Sequence, residues 1–316
     1  MACLAAAPTD RIPVALWRHF PVDDQDPRAL AAAHLAFQRT YDFDFVKVTP
    51  ASSFCLKDWG VQDAWEGDPE GTRRYTRAVI SKPADWERLP QLDASAHHLA
   101  AQLACLRLIR QELGPETPVL QTVFSPLAQA RHLSGEQLLL DHMRAAPAAL
   151  SAGLATIAAS TKAFIEAAVQ TGIDGIFYAV QHAQSALLTP AEFSRFGREF
   201  DLDVLSAGSE LWFNLLHLHG VGVYFEAVSD YPVQAINWHD RETSPSLAVA
   251  RDVFHGALCG GLGRDTLVYR GPADIRSEAA DAIKQVDRRG LILSTGCVVP
   301  IIAPHGNLIA AREAGA

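Results

Sequence analysis

Two histidines stand two apart in Leu216-His217-Leu218-His219-Gly220, and Cys297 follows a later apolar run. On a β-strand, residues two apart face the same side, so both imidazoles would point one way. Two imidazoles and a thiolate form a Zn2+ set with a fourth position left for water or substrate. The same side chains also suit a plainer role, as hydrogen-bonded histidines beside a small buried cysteine. Other polar groups interrupt or follow apolar runs: Arg18 and His19 after Trp17, Lys47 inside Phe45-Val46-Lys47-Val48, Tyr178 ahead of Gln181 and His182, and Asn237 and His239 on either side of Trp238. A charge in an apolar run must be paired or must face a polar opening. Arg18 suits a carboxylate or phosphate clamp, or an ion pair within the scaffold. Arg18, Lys47, Tyr178 and His239 are therefore the candidates for catalysis. Arg18, His19, Lys47, Gln181, His182 and Asn237 are the candidates for holding substrate. Cys259, beside Gly260 and Gly261, reads as packing.

These residues need elements that bring them to one place. Eight short apolar runs recur: Ile12–Trp17, Phe43–Val48, Val119–Phe124, Gly175–Val180, Trp212–His219, Gln234–Trp238, His255–Leu262 and Leu291–Thr295. Strands buried on both faces read as continuous apolar runs, and their alternation with helices implies a parallel sheet. The helical signals lie between them. Asp26-Pro27 resembles a cap with a first-turn proline ahead of Ala29–Arg39. Asp93–Leu113 ends at Gly114-Pro115, Pro147–Thr171 is long and Ala-rich, Thr189-Pro190-Ala191-Glu192 has capping-box chemistry, Pro272–Arg288 ends at Gly290, and a last helix starts near Pro304. Eight such units in 316 residues predict a single-domain (β/α)8 TIM barrel, with the chemistry at the C-terminal ends of the strands. A doubly wound sheet would need a ligand loop at its switch point. The one glycine-rich stretch, Gly260-Gly261-Leu262-Gly263, lacks the G-x-G-x-x-G spacing. Residues 51–90, with Trp59, Trp65 and Trp86, are too long for a βα loop and read as a lid-like insertion after strand two or as surface decoration. Residues 1–10 read as a flexible tail.

Composition bounds the function. Hydrophobic residues make up 49% and charged residues 20%, as in a globular chain with a large core. A formal net charge of −9 disfavours nucleic acid as a partner, while local cations still allow a small anionic substrate. Five scattered cysteines form no disulfide framework and suggest a reducing, cytoplasmic setting. The apolar start is short for a signal peptide. No stretch is expected to reach the roughly 20 apolar residues of a membrane span.

Several segments together resemble the uroporphyrinogen decarboxylase superfamily over nearly the whole chain: Arg11 to Arg18, Tyr41 to Lys47, Gly172 to Phe177, Leu216 to Gly220, and Leu291 to Pro300 with Pro304 and Asn307. The resemblance implies a (β/α)8 barrel, dimeric in the decarboxylases, and a homodimer is expected. The true decarboxylases use two arginines after strand one, an aspartate after strand two and a Gly-His-Gly turn after strand eight, without metal. Here Arg18 is kept, Val22 stands at the second arginine, Lys47-Val48-Thr49-Pro50 lacks the aspartate, and the last turn reads Thr295-Gly296-Cys297. A second branch, the corrinoid-dependent methyltransferases, carries His-x-Cys after strand five and Gly-Cys after strand eight. His217 and Cys297 match it, and His219 stands where those enzymes have the first cysteine, which keeps a zinc-competent ligand but makes the set harder.

The resemblance implies a zinc-dependent methyl- or alkyltransferase with His217, His219 and Cys297 as ligands. Zinc would deprotonate a thiol acceptor whose ordinary pKa is ~8.5. A corrinoid donor would ride on a separate partner protein, and Arg18 and Lys47 would hold an anionic part of the substrate. The alternatives are a metal-free decarboxylase of uroporphyrinogen or another small carboxylic acid, and a non-catalytic binding barrel.

Overall fold

The computed structural model describes residues 1–316. Nine strands occur in chain order: β1 Val46–Val48, β2 Gln62–Ala64, β3 Arg74–Arg77, β4 Val119–Phe124, β5 Gly175–Val180, β6 Leu215–Leu218, β7 Ala235–Trp238, β8 Ala257–Leu262 and β9 Leu291–Thr295. Seven form one curled sheet in the order β1-β4-β5-β6-β7-β8-β9. Every pairing in it is parallel, and helices are wrapped between its strands. All residues of these seven strands are buried, which is why they read as continuous apolar runs.

The first expected strand, Ile12–Trp17, does not form one. It contributes a single parallel bridge, Val14 to Leu293. The Ala15 N–H donates to the Leu293 carbonyl at 3.0 Å, Leu293 donates to Pro13 at 2.8 Å, and on the other flank Asp44 donates to Val14 at 2.9 Å. Two features thin the ladder here. Pro13 has no N–H to give, and the Val14 N–H goes to the Asp44 carboxylate at 2.6 Å instead of to a strand carbonyl. The same aspartate pairs with Arg11. Asp174 repeats the device ahead of β5, pairing with Arg110 and accepting from the Val119 N–H at 2.8 Å.

The helix caps lie where the sequence signals put them. Asp26 accepts from the Arg28 and Ala29 N–H groups at the start of helix Pro27–Tyr41, and Thr189 with Glu192 closes a capping box on Pro190–Phe193. The start of the chain is less free than a tail: Cys3 is buried and its Sγ donates to the Leu291 carbonyl at 3.2 Å. Helix Pro147–Val169, with a mean hydropathy of 1.4 over its most apolar window, is long and apolar enough to cross a membrane, which corrects the expected absence of such a stretch; half of that window is buried inside the protein. Gly153 on this helix lies against Trp86, where a Cβ would come within 2.7 Å of the indole.

Residues 51–90 contain the antiparallel β2–β3 hairpin and helix Pro83–Trp86. Tryptophans tie the segment down: Trp59 donates to the Pro90 carbonyl at 2.8 Å, and the fully buried Trp86 donates to His142 Nδ1 at 3.0 Å.

Candidate active site

A cavity of about 410 Å3 lies at the C-terminal ends of the sheet strands. One parity runs through its wall. Trp17 and His19, Lys47 and Thr49, Phe177, Ala179 and Gln181, and His217 and His219 all face it, because alternate residues of a strand share a face. The opposite parity faces the surrounding helices. That rule separates the expected site residues. Tyr178 is fully buried and donates to Asp201 Oδ1 at 2.8 Å, on helix Glu199–Leu205. Arg18 does not line the cavity; its guanidinium lies over the rings of Phe20 and Phe37, 5.3 and 5.2 Å from their centroids. His182 is buried with its Nε2 3.3 Å from Glu136 Oε1 and is likewise outside the cavity wall. The expected placements of Arg18, Tyr178 and His182 in the site are corrected by their strand faces.

The other candidates come together. Parallel pairing puts Ala179, His217, Asn237 and Cys259 in one row across β5 to β8. Donor atoms of His217, His219, His239 and Cys297 all lie within 4.8 Å of one another. His217 and His239 are buried, and His219 and Cys297 are half-buried. Gly296 makes this convergence possible, since a Cβ there would sit 2.5 Å from the His239 Cα. Cys297 Sγ is 3.8 Å from His219 Nδ1.

Neighbours orient the imidazoles. Asn237 spends its amide hydrogens on the Cys259 and Thr295 carbonyls, at 2.8 and 3.0 Å. Its Oδ1 therefore accepts from His217 Nδ1 at 2.6 Å, which leaves His217 Nε2 with a free lone pair. His239 Nδ1 is 3.1 Å from Glu242 Oε2, and its Nε2 is buried without a partner. A buried, unpartnered imidazole nitrogen amid three further soft or borderline donors is a set that zinc fits. Burial alone would raise the Cys297 pKa, but His217, His219 and His239 together hold it well below the ordinary thiol range. Burial lowers the pKa of His217. Burial opposes a charge on His239 too, but there the Cys297 thiolate and Glu242 outweigh it and raise the pKa. Asn237 thus reaches the cluster as an orienting group, and His239 as a fourth donor where the sequence pattern offered three.

Lys47 is buried, with Nζ 3.3 Å from Thr49 Oγ1 and 4.6 Å from the centroid of Phe177. It has no carboxylate partner, and burial lowers its pKa to about 7. His19, which also faces the cavity, is held down to about 4 by burial and by Lys47. Several lining residues escaped the sequence reading: Glu70, Arg73 and Tyr75 from the 51–90 segment, and Arg131 and His132 from helix Pro126–Ser134. The signal for the last two was Ser125-Pro126, a cap and first-turn proline directly after an apolar run, which starts a helix at the mouth. Tyr75 stacks on His132 with ring centroids 4.1 Å apart.

Fold and sequence can now be set against known proteins. The uroporphyrinogen decarboxylase (URO-D) family matches residues 1–315. The chain belongs to that family. Among its relatives, the methylcobamide:CoM methyltransferase MtaA of Methanosarcina barkeri is 22% identical over 339 aligned positions, covering 99% of this chain and 96% of that one. The methylcobamide:CoM methyltransferase MtbA of Methanosarcina acetivorans is 21% identical over 245 positions, 77% of this chain and 70% of that one. A solved methyltransferase from Methanosarcina mazei superposes with a TM-score of 0.86 at 19% identity, covering 99% of this chain and 96% of its own. A B12-independent methionine synthase from Shewanella superposes with a TM-score of 0.66 at 12% identity, covering 99% of this chain and 96% of its own. These structures share the fold.

Proposed function

We propose that this URO-D family member is a zinc-dependent methyltransferase that moves a methyl group from a methylated corrinoid, carried by a separate protein, to a small thiol. The observation that carries this reading is the four-donor cluster of His217, His219, His239 and Cys297, in a chain similar to two methylcobamide:CoM methyltransferases. Zinc held by three of these donors, with the fourth giving up its position to a substrate thiol, would lower the pKa of that thiol and so supply the attacking thiolate.

The chain's own residues do the rest. Asn237 and Glu242 fix two imidazoles so that each presents Nε2 to the centre. Lys47, buried without an acidic partner, holds an anionic group of the substrate. Arg131 lines the same wall, its charge balanced by Glu136. Glu70 to Tyr75 cover the cavity as a lid and limit access of water. Segment Pro13–Trp17 serves as the eighth stave and closes the sheet into a (β/α)8 barrel. The five free cysteines suit a reducing compartment.

The test is direct. Purified protein should hold about one zinc per chain, and in the presence of a methylated corrinoid it should methylate a small anionic thiol. Zinc-loaded, folded protein that retains no metal after dialysis overturns the reading. So does efficient conversion of uroporphyrinogen to coproporphyrinogen.

A further inference from the structure

One line of polar contacts leaves the cluster and ends on the segment that covers the cavity. Glu242 divides its carboxylate. One oxygen meets His239 Nδ1 at 3.1 Å, and the other lies 3.3 Å from Arg264 Nε. Arg264 Nη1 reaches Glu70 Oε1 at 2.7 Å. Arg264 is the more enclosed member, its side chain 18% exposed against 40% for each glutamate. It opens the short helix that follows β8, whereas Glu70 belongs to the cavity wall contributed by residues 51–90.

Glu70 stands in a tight, well-tied stretch. Its N–H goes to Asp68 Oδ1 at 2.8 Å, and the neighbouring Pro69 carbonyl accepts from Ile301, four residues past Cys297, at 2.8 Å. Gly71 sits against His19 so closely that a Cβ would fall 2.6 Å from the His19 Cβ. The two glutamates carry like charge; a cation between them removes the repulsion, and a forked guanidinium meets both with separate N–H groups. The Arg264 fork contacts both at once.

We propose that Glu242, Arg264 and Glu70 form a relay that couples metal occupancy at His239 to closure of the Asp68–Arg73 stretch over the cavity, with Arg264 as the positioning residue. The inference rests on the zinc reading above and extends it. An ion that fixes His239 fixes the Glu242 carboxylate behind it. That carboxylate holds one edge of the Arg264 guanidinium, and the guanidinium holds Glu70. By linkage, whatever the closed stretch adds to metal affinity, the metal returns to the stability of the closed stretch. The consequence is order: metal loading precedes a properly closed cavity, and a thiol meets a sheltered site only in the loaded protein.

The experiment uses the full chain, loaded with zinc or stripped with a chelator. Zinc affinity is read by chelator competition, and closure by hydrogen exchange over residues 66–73. In the wild type, zinc should slow exchange in that stretch. Arg264→Met should weaken zinc by about 10-fold, in the range seen when a group supporting a ligand is lost, and should abolish the zinc-dependent protection. Glu70→Gln should weaken zinc less, by about 3-fold, since it lies one contact farther out, and should lose protection to a similar degree by reciprocity. Arg264→Lys, which keeps the charge and loses the fork, should fall between. A purely structural Arg264 would lower the melting temperature and leave zinc affinity alone. Zinc affinity unchanged in both Arg264→Met and Glu70→Gln overturns the relay while the zinc reading stands. A wild-type chain that takes up no zinc overturns both.

Discussion

Two buried polar groups lie on opposite sides of the sheet and could hardly differ more. On the outer face of β5, Tyr178 donates to one oxygen of the helix residue Asp201 at 2.8 Å, and Tyr231, from the turn ahead of β7, donates to the other at 2.9 Å. Every polar atom of Asp201 is answered, and the group touches no cavity. On the inner face, His217, His219, His239 and Cys297 crowd donor atoms within 4.8 Å, and His239 Nε2 has no partner. Proteins satisfy their buried polar groups almost everywhere. A satisfied group is therefore a feature of the scaffold, and an unsatisfied cluster facing a cavity suits the binding of a ligand such as the zinc proposed above. Strand parity sends Tyr178 outward while Ala179 faces the cavity, since a one-residue step moves a side chain to the other face of the sheet.

Substitutions in the two groups should separate cleanly. The largest effect is expected from Cys297→Ser, which exchanges a soft anionic donor for a neutral hydroxyl. Zinc affinity should drop by more than the 10- to 100-fold typical of losing a supporting group, with methyl transfer lost in parallel. Zinc titration of the folded variant checks this, and a wild-type affinity would remove Cys297 from the ligand set.

A smaller effect, of a different kind, is expected at Asp201. Burial raises its pKa to about 7, against an ordinary value near 3.9. Between about pH 4 and pH 7 the folded protein thus binds more protons than the unfolded chain, so this group's contribution makes stability fall as pH rises through that window. Asp201→Asn should flatten that slope in denaturant titrations at pH 4.5 and 7.5, with zinc content unchanged. An unaltered slope would show that Asp201 titrates normally.

The smallest effect is expected from Arg18→Met. Arg18 lies over Phe20 and Phe37 on the outer parity, a contact of about 0.5–1 kcal/mol at a partly exposed site. The melting temperature should fall slightly while substrate KM stays within twofold. A tenfold rise in KM would put Arg18 back among the substrate contacts.

The architecture was legible wherever burial on both faces left a continuous apolar signature, as at Val119–Phe124 and Gly175–Val180. It was least legible at Ile12–Trp17, where the apolar run is present but Pro13 and the Asp44 carboxylate take the hydrogen bonds out of the ladder. Within the site, the His217/His219 pair could be read because same-face spacing is written directly in the sequence. His239 was visible as a polar group at a strand end, but its place as a fourth donor depends on the register between β6 and β7, where His217 pairs with Asn237. Tyr178 and Arg18 were misplaced for the opposite reason: being near a strand end says nothing about face until the parity is counted. Glu70 and Arg73 come from the irregular stretch between β2 and β3, and Tyr75 from the short β3, in an insertion whose path no periodicity encodes.

The thin seam at Val14 also bears on how the chain comes together. The neighbouring strand pairs β4 to β9 join successive parts of the sequence, each linked by its own helix or turn. Segment Pro13–Trp17 instead touches Leu293 on one side and Asp44 on the other, and so links the first and last parts of the sheet. Such a contact carries a large loop-closure entropy and contributes few backbone bonds in return. The αβ units can assemble stepwise from local contacts, while the seam must wait for β9. The Asp44 side of the segment can form early, being only 30 residues away, so the contact that brings residue 14 to residue 293 is expected to form late.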